Sequence, residues 1–95
     1  MHPVVEEALA SRFAGEDVVA ARTFLAKISL LRGAESPASA ARLQMAAIRL
    51  AGPSLEGLNK AVELAGRDWR DLLMASGLAH ADWRDVLARD GFGVP

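Results

Sequence analysis

An all-α fold is predicted for this chain, a compact bundle of five or six helices forming one domain over residues 1–95 with two short helices at its C-terminal end. Three observations predict it. Apolar residues recur at three- and four-residue spacing along most of the chain. Glycines and prolines fall between those stretches, beside residues suited to cap helix ends. No segment alternates apolar and polar residues as a half-buried strand does.

The first helix is expected from Pro3 to Ala14, with proline suited to the first turn, Val5, Leu9 and Phe13 on one stripe, and Gly15 as its stop. A second helix, Asp17 to Arg32, places Val18, Ala21, Leu25, Ile28 and Leu31 on one side, and its acidic start and basic end suit the helix dipole. Gly33 ends it. Ser36 and Pro37 open a third helix running to Ala51, with Leu43, Ala47 and Leu50 on its inner face and Met45 and Ile48 to the side. So wide an apolar arc marks a central helix with neighbours on more than one side. Gly52-Pro53 is the strongest break, after which Ser54 caps a fourth helix to Ala65 carrying Leu55, Leu58, Val62 and Ala65.

Residues 68–78, DWRDLLMASGL, and residues 82–92, DWRDVLARDGF, then repeat one pattern at an offset of fourteen residues. Each copy reads as a complete short helix. Asp68 or Asp82 is the N-cap, Asp71 or Asp85 lies at the third position near the positive helix end, and Gly77 or Gly91 is the left-handed residue after the last turn. Leu78 and Phe92 then fold back on that turn.

The stretch from Arg42 to Leu78, with its "RLAG", "VELA" and "DWRDLL" segments followed by glycine, resembles a group of small bacterial proteins for which no function is established. The resemblance covers somewhat over a third of the chain. It implies a helical fold and a bacterial, cytoplasmic origin, and it carries over no catalytic residue.

Composition narrows the function classes. Hydrophobic residues make up 52% of the chain, yet nineteen of them are alanine, which buries little area. Cysteine is absent, so disulfides, thiolate catalysis and thiolate zinc sites are excluded. No apolar run approaches a membrane span, and Met1-His2-Pro3 lacks the basic start of a signal peptide, so a cytoplasmic protein without membrane attachment is expected. The net charge of −1 argues against a domain that neutralises many phosphates. Bases are nevertheless concentrated in one region, with Arg22, Lys27, Arg32, Arg42 and Arg49 set against the single acid Glu35. Spaced in this way they read as charged solvent faces of two helices.

No catalytic, cofactor-binding or metal-ligating residue is expected. The paired carboxylates Asp68/Asp71 and Asp82/Asp85 are accounted for by capping, and His2, at a terminus expected to be mobile, and His80 lack ligand spacing. A helix-turn-helix can be traced from Leu58 to Gly77 through Ala61, Ala65, Leu72 and Ala75 with Gly66 at the turn, but its second helix would meet DNA with Asp68 and Asp71. Met45 and Met74 read as gap-filling core residues.

The expected function is therefore a non-enzymatic protein-interaction module, a homo-oligomer or an adaptor for a protein partner. The alternatives are a helix-turn-helix-like nucleic-acid module and a non-catalytic accessory subunit of an enzyme. Trp69-Arg70 and Trp83-Arg84 are the candidate contact residues, since tryptophan and arginine dominate interface hot spots. Trp69 continues the stripe of the fourth helix and is expected to close the core. Trp83 and Phe92 lie beyond that stripe and are expected to form an apolar surface for a partner or a second copy, the competing reading being that they cap the monomer's open end.

Overall fold

The computed structural model describes residues 1–95 and contains six α-helices and no strand: α1 (Pro3–Arg12), α2 (Gly15–Ala26), α3 (Pro37–Ala51), α4 (Leu55–Arg67), α5 (Trp69–Ser76) and α6 (Trp83–Arg89). Local chemistry sets most of the helix starts. Ser36 Oγ accepts from Ser39 N at 3.0 Å, Ser54 Oγ accepts from Gly57 N at 3.0 Å, and proline occupies the first position of α1 and α3. His2 is tied down rather than free, since its Nδ1 accepts from Val4 N and caps α1.

Helix α3 is the centre of the bundle, in close approach to α1, α4 and α5. Its residues Leu43, Gln44, Met45, Ala46, Ala47 and Ile48 are buried one after another, so the helix is covered on every side along this stretch, as its wide apolar arc requires. Gln44 is accommodated there because its Nε2 donates to the Leu25 carbonyl at 3.1 Å. A single cluster of 24 buried apolar residues draws on all six helices.

Several expected boundaries move. Gly15 opens α2 instead of ending α1, which closes at Phe13 in extended backbone as its ring enters the core. Helix α2 stops at Ala26 and tightens into 3₁₀ turns over Lys27–Leu30 and Arg32–Ala34, joined by extended backbone at Leu31. The tightening keeps Ile28 fully buried and turns Leu30 out to 86% exposure. Leu50 is exposed rather than inward-facing, because the third helix buries its Ile48 side, and Met74 lies on the solvent side of α5. Helix α4 continues through Gly66 to Arg67, which removes the turn that a helix-turn-helix reading needs there, and Ala75 of the same pattern is exposed.

Both repeat copies end as their sequences require. Gly77 (φ 81°) and Gly91 (φ 83°) are left-handed, and matching bonds close the last turns: Leu78 N to Leu73 O and Phe92 N to Leu87 O, each at 3.0 Å. Their starts differ. Asp68 Oδ1 accepts from Arg70 N at 2.9 Å, whereas Asp82 makes no side-chain capping bond and faces Arg89 at 3.8 Å. No helix is long and apolar enough to cross a membrane.

Candidate interaction cleft

The expected apolar surface at Trp83 and Phe92 is absent from the monomer. Trp83 is 7% exposed and Phe92 9%, because α6 has no helix closely alongside it and these two large side chains, with Leu87, fill the space between it and the rest of the core. Two guanidiniums lie over the Trp83 ring, Arg42 at 5.2 Å and Arg84 at 4.2 Å from its centroid, and Arg12 lies over Phe92 at 4.4 Å. Arg84 is otherwise exposed and donates to the Pro95 carbonyl at 3.4 Å.

Arginines of the region expected to be a solvated basic face hold the C-terminal repeat in place. Arg42 donates to the Leu78 carbonyl through Nε at 3.1 Å and Nη2 at 2.6 Å. Its pKa is lowered by burial and, secondarily, by Arg84. Arg49 donates to the Ser76 carbonyl and, at 2.5 Å, to the Asp90 carboxylate. Ser76 and Asp90 are equivalent positions of the two copies, so one side chain of α3 fastens both. The Arg49–Asp90 pair occupies the cleft lined by Arg12, Arg49, Leu50, Ala75, Ser76 and Asp90, which is thus an internal crosslink.

Trp69 and Arg70 stand in a different setting. The Trp69 ring is half-buried, and Gly33 packs against it so closely that a Cβ there would lie 2.5 Å from Trp69 Cδ2. The glycine expected as a helix stop therefore serves as a close-approach site. The Arg70 guanidinium lies 5.0 Å from the ring centroid. The indole also borders a cleft of about 370 Å³, larger than any other on this surface, lined by Leu30, Leu31, Arg32, Ala65, Gly66, Arg67, Asp68 and Trp69.

Three elements build this cleft: the 3₁₀ end of α2 supplies Leu30 to Arg32, the last turn of α4 supplies Ala65 to Arg67, and the start of α5 supplies Asp68 and Trp69. Its lining sets the apolar Leu30, Leu31, Ala65 and Trp69 beside the bases Arg32 and Arg67 and the acid Asp68. Leu30 and Arg67 carry no signal of their own in the sequence, and Leu31 and Arg32 read there only as a core-facing residue and a solvated charge of a second helix continuous through Arg32. The adjacent pair Leu30-Leu31 gave no usable signal, since neighbouring residues of a helix can both be buried, as Leu72 and Leu73 of α5 are.

Elsewhere, no three histidine, aspartate or glutamate side chains are grouped to hold a metal ion. The lowered carboxylate pKa values have ion-pair causes: Glu6 is held down by the Arg22 hydrogen bond and Asp90 by the Arg49 hydrogen bond. No family model, curated protein or solved structure matches the chain. The class it defines is that of a small six-helix bundle with a cleft of mixed apolar and basic lining.

Proposed function

We propose that this chain is a non-enzymatic, cytoplasmic protein-interaction module whose contact surface is the Leu30–Trp69 cleft. One observation carries the reading: Leu30 is 86% exposed in a cleft whose lining includes the half-buried indole of Trp69. A leucine so exposed beside a tryptophan and arginines has the composition of an interface core before its partner arrives. Nucleic acid is the weaker reading, because Asp68 and Asp71 head α5 and the net charge is −1.

The test is a photo-crosslinking residue placed at position 30 of the full chain in bacterial cytoplasm, with the same residue at exposed Val19 of α2 as control. A discrete protein adduct from position 30 that position 19 does not give is the expected result, whether its mass corresponds to a second copy or to another chain. Identical adducts from both positions, or none from position 30, would overturn the cleft as the contact surface.

A further inference from the structure

The chain has nine arginines, and seven of them are engaged within the molecule. Arg12 lies over Phe92 and Arg70 over Trp69, Arg22 pairs with Glu6 at 2.7 Å, Arg42 holds the Leu78 carbonyl, Arg49 pairs with Asp90, Arg84 reaches the Pro95 carbonyl, and Arg89 faces Asp82 at 3.8 Å. The other two are Arg32 and Arg67. Neither makes an ion pair, a side-chain hydrogen bond or a cation–π contact, and both line the cleft. The one carboxylate in the lining, Asp68, is engaged in capping α5 through Oδ1.

Resting on the interaction reading above, we infer that the cleft binds a short acidic peptide segment of a partner protein, with one bulky apolar side chain inserted beside Trp69 and its flanking carboxylates paired with Arg32 and Arg67. Guanidinium is the group best matched to carboxylate, through two parallel N–H···O bonds, and two such groups beside the apolar lining define the complement: acids flanking a leucine- or phenylalanine-sized anchor. A volume of about 370 Å³ holds one or two bulky side chains and not the face of a folded domain. An interface this small is weak and exchangeable. Single-stranded nucleic acid is disfavoured because stacking needs an open ring face, and Gly33 and Arg70 already lie against Trp69.

Fluorescence anisotropy with a labelled synthetic peptide, a Leu-Phe pair flanked on each side by Asp and Glu, tests this on the full chain. Binding is expected at micromolar concentration in low salt and about tenfold weaker at high salt. The double charge reversal Arg32→Glu, Arg67→Glu is expected to weaken it by at least about tenfold, with the helical circular dichroism unchanged since both side chains are exposed and unpaired. Arg89→Glu, outside the cleft, should leave affinity unchanged, and Gly in place of the Leu-Phe pair should remove binding. Equal affinity for a Lys-flanked peptide, indifference to the double reversal, or tighter binding of oligothymidylate than of the peptide would each overturn the proposal. So would absence of peptide binding up to ~1 mM, or light scattering that reports a dimer dissolved by Leu30→Glu, which assigns the cleft to a second copy. The crosslink at position 30 registers any partner whatever its charge, so an adduct without peptide binding rejects the acidic segment and leaves the interaction module standing.

Discussion

In residues 68–78 the tryptophan is half-buried and borders an open cleft, whereas in residues 82–92 the tryptophan is 7% exposed and lies under two guanidiniums. The stop signals of the two copies are nonetheless the same to the atom, a left-handed glycine and a bond from the next residue back to Leu73 O or Leu87 O. The difference separates two kinds of information. Helix ends are set by residues three to five apart within each copy, so they repeat with the sequence. Burial is set by what lies alongside: α5 rests closely against α3 and α4, whereas α6 makes no comparably close approach to any helix and is attached through the side chains of Trp83, Leu87 and Phe92.

The largest expected effect follows from that contrast. Trp83→Ala should cost about 3–5 kcal/mol, the range for emptying a core aromatic site, which is a large share of a small domain's stability. Trp69→Ala should cost about 1–2 kcal/mol, since part of the ring already faces solvent and only the remaining buried area is lost. Urea melts of the two variants measure both. Equal losses would show that α6 is no more dependent on its tryptophan than α5.

The glycine stops sharpen the comparison further. Alanine in the left-handed conformation costs roughly 1–2 kcal/mol, and Gly91→Ala should show only that, because a Cβ there meets open space. At Gly77 a Cβ would lie 2.6 Å from Arg49 Nη1, the group that donates to the Ser76 carbonyl. Gly77→Ala should therefore exceed Gly91→Ala by about 1 kcal/mol in the same melts, the net worth of a displaced hydrogen bond. Identical values would mean that Arg49 moves aside freely and does not fasten the end of α5.

The features legible in the sequence are those written in neighbouring residues. Ser36-Pro37, Ser54 and both glycine stops declare themselves locally, and the central place of α3 follows from apolar residues on all sides of its latter half. The 3₁₀ tightening after Ala26 was hidden, because it accompanies the burial of Ile28 and the Gln44 bond to Leu25 O from nineteen residues away. Arg42 and Arg49 looked like solvated charges for the same reason: their carbonyl partners lie thirty-six and twenty-seven residues onward. Only Trp69 and the capping Asp68 were readable at the cleft, with Arg70 lying over the tryptophan. The leucines and arginines of the cleft come from two other elements, and only their meeting in space makes a site.

The two aspartate starts should differ by less than the glycine stops. Asp68→Ala removes a real cap and should cost about 1 kcal/mol. Asp82→Ala loses only an exposed pair with Arg89 at 3.8 Å and should cost under about 0.5 kcal/mol. Asn at position 68, which keeps the accepting oxygen, should recover most of the loss. A cost at Asp82 matching that at Asp68 would reveal a capping bond in solution that the structure lacks.

A comparably small effect, and the one with a pH signature, lies where Arg49 joins the copies. In the first copy its acceptor is the backbone carbonyl of Ser76, which does not titrate, and in the second it is the carboxylate of Asp90. The Asp90 pKa is held below its ordinary 3.8, first by the Arg49 hydrogen bond, which outweighs an opposing desolvation, and further by the charges of Arg49, Arg12 and Arg89. The unfolded chain therefore takes up this proton at higher pH than the folded one. The stabilisation is fully present above the unfolded carboxylate range and is lost as pH falls through the folded value beneath 3.8. Asp90→Asn should lower stability by about 0.5 kcal/mol at neutral pH, discounted for an ion pair a third exposed, and the gap from wild type should close in acid. Glu6 titrates identically in both proteins, so its pairing with Arg22 cancels in that difference. Ser76→Ala keeps the carbonyl and should show a pH-independent difference from wild type. A gap at Asp90→Asn that persists unchanged in acid would assign the loss to packing at the end of α6 rather than to the charge that ties the second copy to the first.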